Sequence, residues 1–147
     1  MLTVERIIAR PSAGELDGKE RDFVRMTAEE RRWVRRRIAS VRGREIALAL
    51  PTGTVICPGD ILVNESNWYL EADAAEEPVL AIHPRDHQAA IRAAFEIGNH
   101  HFPLAFDGEI LFVPDDTAMV QLLERLGEPW ERRRAVFDPI ARPHRHD

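Results

Sequence analysis

The stretch Gly98-Asn99-His100-His101-Phe102-Pro103-Leu104 follows directly on an apolar helical pattern, and His144 and His146 fall within the last four residues. Four of the six histidines therefore occupy two short places. Neutral imidazole is the usual protein ligand for borderline metals such as nickel, copper and zinc, so metal handling is the chemistry these residues point to. His100 and His101 lie at the entry to an extended segment, where adjacent side chains point to opposite sides, so at most one of them faces a given ion. A single imidazole holds a metal poorly. Two-fold symmetry supplies a remedy, because each protomer of a dimer can present the same histidine to a shared axis. His144 and His146, with Asp147, would add ligands from a C-terminal tail. Ordering such a tail costs on the order of 1–2 kcal/mol per residue fixed. Its ligands should therefore exchange easily, which suits delivery more than storage. Ligand imidazoles must be deprotonated, so binding through them weakens as pH falls through about 6.5. The spacing alone leaves a plainer reading open, in which either histidine is a surface residue near helix C-terminal carbonyls.

The remaining candidates carry less chemistry. His83 and His87 are four apart but separated by Pro84, so they do not share a helical face; His83 reads as a strand end and His87 as a first-turn residue. Arg31, Arg32, Arg35, Arg36 and Arg37 form a solvated face or, in the sharper reading, a docking surface for an acidic protein partner. Asp115-Asp116 is explained by helix capping. Cys57 is alone, so it makes no internal disulfide, and after Val55-Ile56 it reads as a small buried hydrophobe. No glycine-rich phosphate loop, CxxC pair, GxSxG turn or nucleophile-base constellation is found, so the chain is not expected to be an enzyme. A net charge of −5 argues against nucleic acid as the main partner. The longest apolar runs, such as 46–50, are far too short to span a bilayer. Residues 1–6 carry no charged-then-apolar leader, so a cytoplasmic location is expected.

These residues must be positioned by a chain of 147 residues, 44% hydrophobic and 31% charged, the composition of one ordinary domain or two small ones. The first half reads as short strands divided by turn signals: 4–9, 21–26, 46–50, 54–57, 61–63 and 68–70. Such spacing suggests a small barrel or sandwich. Thr27-Ala28-Glu29-Glu30 looks like a helix start, yet 33–40 alternates, and a short turn followed by a strand fits the surroundings better. The acidic, proline-closed run 71–78 reads as a linker. Beyond it come a strand over 79–83, a helix over 87–97 capped by Asp86, and Gly98 as the left-handed residue that ends it. Ile91, Ala94 and Phe95 line one face of that helix. Residues 102–106 and 109–113 form a hairpin around Asp107-Gly108. A second helix follows with Met119, Leu122, Leu123 and Leu126 at helical spacing up to Gly127, then a strand over 134–137. The order β-α-β-β-α-β is that of ferredoxin-like folds. The expected fold class is α+β, with a small all-β barrel-like domain over 1–75 and a ferredoxin-like domain over 76–147.

Several stretches resemble one family. Ile97-Gly98-Asn99-His100-His101-Phe102-Pro103-Leu104 resembles the Leu-Gly-Asn-x-His-x-Pro-Leu signature of the UreE family of urease accessory proteins, which carry nickel. Arg44-Glu45-Ile46-Ala47-Leu48-Ala49-Leu50-Pro51-Thr52-Gly53-Thr54-Val55 is similar to that family's Gly-Arg-Glu-x-Ala-Leu-x-Leu-Pro-Arg-Gly-Thr-Val stretch. Gly59-Asp60-Ile61-Leu62-Val63 and Glu77-Pro78-Val79-Leu80 continue the likeness in the same order. The resemblance implies a peptide-binding-like β domain and a ferredoxin-like metal domain. It implies a homodimer holding Ni²⁺ at its interface, with Zn²⁺ or Cu²⁺ as substitutes. The partners it implies are the urease apoprotein and its accessory GTPase complex. It assigns the interface ligand to His101 rather than His100, and the C-terminal ligands to His144 and His146. Two departures bear on capacity: Pro114-Asp115-Asp116 stands where some members carry extra histidines, and the tail holds two histidines where some hold many. About one interfacial ion per dimer is the expectation. The competing function is a protein-interaction module without a direct role in metal transfer.

Overall fold

Alternation of apolar and polar residues builds the first unit from strands alone. In the computed structural model, which describes residues 1–12 and 14–140, that unit spans Met1–Ala74 and a second begins at Ala75. The first contains β1 (Leu2–Val4), β2 (Glu20–Met26), β3 (Arg35–Ala39), β4 (Glu45–Ala49), β5 (Ile61–Asn64) and β6 (Trp68–Ala74). They form two three-stranded sheets, β1-β4-β3 and β2-β6-β5, with β1 parallel to β4 and β2 parallel to β6. Inward residues of both sheets, among them Met26, Ile38, Ile46, Leu48, Leu62 and Leu70, meet in one apolar core. The unit is all-β as expected, but it is not a closed barrel: each sheet keeps its own edges.

A buried polar cluster ties the β3–β4 turn to β2. Asp22 is fully buried, and its carboxylate accepts from Ser40 Oγ at 2.6 Å, Arg44 Nη1 at 2.8 Å, and the amides of Phe23 and Arg42 at 2.8 and 3.2 Å. Burial pushes the Asp22 carboxyl up, but these four hydrogen bonds outweigh it and hold it below the usual aspartate range. Each acceptor site is satisfied, which is what makes a buried charge tolerable.

The expected short turn and strand after Thr27 are present, and three other local expectations change. Thr27 and Glu30 do form a reciprocal capping box, Thr27 N to Glu30 Oε1 at 2.9 Å and Glu30 N to Thr27 Oγ1 at 3.2 Å. It starts only one 3-10 turn, Glu30–Arg32, because the Arg31 carbonyl accepts from Ile56 N and the chain leaves as a strand. Residues 54–57 join no sheet, and of 4–9 only Val4 lies in a strand, with Ile8 making a lone bridge to Ile61. The acidic run 71–78 is not a linker: β6 continues to Ala74 and β7 (Glu76–Ile82) starts two residues on. Its charges alternate with Ala72 and Ala74, so the polar composition hides a strand period.

The second unit comprises β7, α1 (His87–Asn99), β8 (Ala105–Asp107), β9 (Ile110–Pro114), α2 (Thr117–Leu126) and β10 (Trp130–Val136). The sheet order is β10-β7-β9-β8, antiparallel throughout, with the β-α-β-β-α-β order expected. Leu80, Ile82, Leu111 and Val113 of the sheet share one core with Ala93 and Ile97 of α1 and Met119, Leu122 and Leu123 of α2. Both helices therefore cover the same face.

Candidate metal centre

Helix α1 carries the candidate site at its C-terminal end. Asp86 starts it, its carboxylate accepting from Ala89 N at 2.8 Å. Its end is a Schellman closure: Phe102 N donates to Ile97 O at 3.2 Å and His101 N to Gly98 O at 2.9 Å. That motif needs a left-handed residue, and His101 supplies it with φ of 63°. Gly98, expected in that role, is instead an ordinary helical residue. The physical reason is the apolar clasp that accompanies such closures. Phe102 packs into the core that holds the fully buried Ile97. A closure at Gly98 would have set polar Asn99 against Ala94 instead.

A non-glycine residue in the left-handed region costs about 1 kcal/mol or more. The fold thus holds His101 in a backbone conformation that carries its exposed side chain past the end of the helix. His100 behaves differently. Its Nδ1 lies 2.8 Å from the Glu96 carbonyl oxygen, which can only accept, so Nδ1 is the donor of that pair. The two adjacent imidazoles are therefore in distinct settings: His100 is turned back on its own helix, while His101 makes no side-chain hydrogen bond among the described residues.

The helix also exposes apolar surface. Ile91 is 59% and Phe95 67% exposed, whereas the inner face is built from Ala93 and Ile97. Counting large side chains assigns Ile91 and Phe95 to the core; the small alanines that let the helix approach the sheet are the weaker signal. Phe106 on β8 is 59% exposed, and with Ile91, Ala94 and Leu111 it lines a cavity of about 710 Å³.

No group of three or more His, Cys, Asp or Glu side chains suited to a metal ion occurs among the described residues. His144 and His146 lie outside those residues. The last described residue, Ile140, is anchored: its amide donates to Leu104 O at 2.8 Å, three residues beyond His101. His83 follows β7, with Nε2 3.6 Å from Glu131 Oε2, and His87 opens α1, so neither adjoins the His101 turn in sequence or role. Cys57 is half-buried rather than buried, with Asp60 Oδ2 accepting from its amide at 2.7 Å. Among the described residues no helix is long and apolar enough to cross a membrane.

Known proteins resemble this chain along both units. The family profile "UreE urease accessory protein, N-terminal domain" matches residues 4–75 and its C-terminal counterpart matches 77–147. A Synechococcus sp. (strain JA-3-3Ab) protein named urease accessory protein UreE is 42% identical over 102 residues, covering 69% of this chain and 68% of its own length. The Cupriavidus necator protein of that name is 38% identical over 112 residues, 76% of this chain, of whose length the chain spans 58%. The Deinococcus radiodurans one is 37% identical over 122 residues, covering 83% of this chain and 78% of its own. Both profiles match in order over almost the whole sequence, and the chain belongs to the UreE urease accessory protein family.

Proposed function

We propose that this chain is a nickel carrier in urease maturation. Two copies meet so that His101 from each binds one Ni²⁺, with His144 and His146 completing the shell, and the ion passes to the urease apoprotein and its accessory GTPase complex in the cytoplasm. Membership in the family supports an accessory, non-catalytic role in urease maturation. The observation that carries the metal reading is the turn at His101: a histidine occupies the position where glycine is cheapest, its imidazole exposed and unengaged. The exposed Ile91 and Phe95 stand on the same helix and supply an apolar surface for a second copy. A lone imidazole makes a weak site, and pairing two about an axis corrects that.

Chain length supports the tail as a source of ligands. Ile140 is bonded to Leu104, and four residues of chain reach at most about 14 Å when extended. A tail of that length is what the proposed His144 and His146 ligands require. A nitrogen- and oxygen-rich shell suits nickel over thiolate-preferring ions, with zinc and copper as substitutes. On this reading the unit from 76 onward is the metal domain and 1–75 the peptide-binding one.

The deciding experiment is a nickel titration of wild type and His101→Ala by calorimetry, paired with sedimentation. Tight binding to a dimer, lost in the variant while the fold is kept, is the expected result. Unchanged affinity in His101→Ala rejects the site. The second reading, an interaction module without metal transfer, is favoured by the charged edge of β3; it predicts no nickel uptake in equilibrium dialysis.

A further inference from the structure

Strand β3 lies at the edge of its sheet, with β4 as its one neighbour. Leu50 N donates to Val34 O and Ser40 N to Arg44 O, which sets the even-numbered residues as the hydrogen-bonded pairs with β4. The amide and carbonyl groups of Arg35, Arg37 and Ala39 therefore point away from β4, to a side where β3 has no ladder partner among the described residues and where β2 arrives only beyond the strand, Phe23 O accepting from Val41 N at 2.9 Å. The same odd positions carry exposed side chains, while Ile38 and Ser40 are buried.

That exposed row has a definite chemistry. Trp33 is 47% and Val41 54% exposed, and between them stand Arg35 and Arg37. Across the ladder Arg35 faces Ala49 and Arg37 faces Ala47, so no carboxylate opposes either. Neither arginine takes part in an ion pair among the described residues, whereas neighbouring Arg36 pairs with Glu30 at 3.3 Å. Charged residues on an edge strand can simply deter aggregation. A deterrent edge does not flank its charges with an exposed tryptophan and valine, since those add the stickiness the charges would remove.

We propose that the outer edge of β3 binds an extended acidic peptide segment of a partner protein by strand addition. The main-chain groups of Arg35, Arg37 and Ala39 supply the ladder. Carboxylates at alternate positions of the peptide stand opposite Arg35 and Arg37, because an added strand presents every second side chain to one face. An apolar residue at one end, on the same face, meets Trp33; at the other end the added ladder stops at Ala39, because Val41 N is bonded to Phe23 O.

The test uses the full chain without nickel, so its failure is separate from failure of the metal reading. A labelled peptide with a leucine and two glutamates at successive alternate positions and threonine between them, and its counterpart with lysine for glutamate, are titrated by fluorescence anisotropy, with amide hydrogen exchange followed residue by residue. Binding of the acidic peptide alone, with slowed exchange at Arg35, Arg37 and Ala39, is expected. Arg35→Glu with Arg37→Glu should weaken it about tenfold or more. Ala39→Pro removes one outward amide without touching the β4 ladder and should weaken it about fivefold. If that variant does not fold, the arginine pair and the exchange data decide alone. Absence of binding, binding without protection of those amides, or protection that grows with protein concentration in the absence of peptide (a second copy on the edge) would each overturn the proposal.

Discussion

Helices α1 and α2 occupy equivalent places on one sheet and are built alike, yet they part company at two points. Each opens on an aspartate whose carboxylate accepts an amide at 2.8 Å, Asp86 from Ala89 and Asp116 from Met119. Each closes on a left-handed residue. In α2 that residue is Gly127, φ 76°, which bears no side-chain penalty; in α1 it is His101. In α2 the large apolar side chains Met119, Leu122 and Leu123 are buried, whereas in α1 Ile91 and Phe95 are exposed. The scaffold needs what α2 does. What α1 does beyond it, an exposed apolar face and a strained histidine at its end, costs stability in the isolated unit and therefore points to a contact made with something else.

The largest expected contrast is between those faces. Leu123→Ala should lower stability by about 2–5 kcal/mol, the cost of a buried cavity. Ile91→Asp with Phe95→Asp should leave the folded unit within about 0.5 kcal/mol, as surface changes do, but should convert a dimer to a monomer in sedimentation. A double variant that unfolds like Leu123→Ala, or stays dimeric, would remove the distinction drawn between the helices.

Exchanging the two closing residues sharpens the comparison further. His101→Gly should raise stability by about 0.5–1 kcal/mol while abolishing tight nickel binding; Gly127→Ala should lower it by about 1 kcal/mol with nickel binding intact. Urea denaturation and calorimetry read both. A destabilised His101→Gly protein would mean that the imidazole supports the fold and that its setting is structural.

The sequence makes α2 legible in full, because its cap, its large buried residues and its closing glycine all obey the same period. The hairpin at Asp107-Gly108 and the order of elements in the second unit are equally plain. For α1 the same rules mislead at the two places where it departs from α2. A glycine search stops the helix at Gly98, since the true closure depends on Phe102 reaching Ile97, and an apolar count turns Ile91 and Phe95 inward. The spacing from Ile97 to Phe102 was available as a signal and outweighs the glycine. In the first unit the Thr27–Glu30 capping box suggests a helix, and the alternation over 33–40 correctly limits it to a short turn; the bond from Ile56 N to Arg31 O that accompanies the change is long-range and has no local signal. Of the candidate site, the proposal of His101 as ligand comes from its motif, and its backbone conformation comes only from the structure.

The tail tests how far α1 depends on help from elsewhere. Replacing His144 and His146 by alanine should weaken nickel binding about tenfold, in the range of a lost supporting ligand, and leave the dimer unchanged. X-ray absorption should show fewer imidazole neighbours around the ion. An identical spectrum would leave the His101 pair with water or other ligands and would remove the tail from the site.

The smallest effect separates the two neighbouring histidines. His100 Nδ1 donates to the Glu96 carbonyl at the exposed end of α1, so its loss removes one solvent-accessible hydrogen bond, about 0.5 kcal/mol. With Nδ1 engaged by a carbonyl, Nε2 is the ring's outward nitrogen, the orientation a metal-bound histidine commonly has. Geometry alone thus makes His100 the better oriented ring, and His101 the one that the strained turn sets free of the helix. If the free ring is the ligand, His100→Ala should change nickel affinity by less than about threefold, since the His100 ring is engaged with the Glu96 carbonyl. A loss as large as that of His101→Ala would transfer the ligand role to the ring held by Glu96, and the left-handed turn would then serve to orient His100 by carrying His101 out of its way.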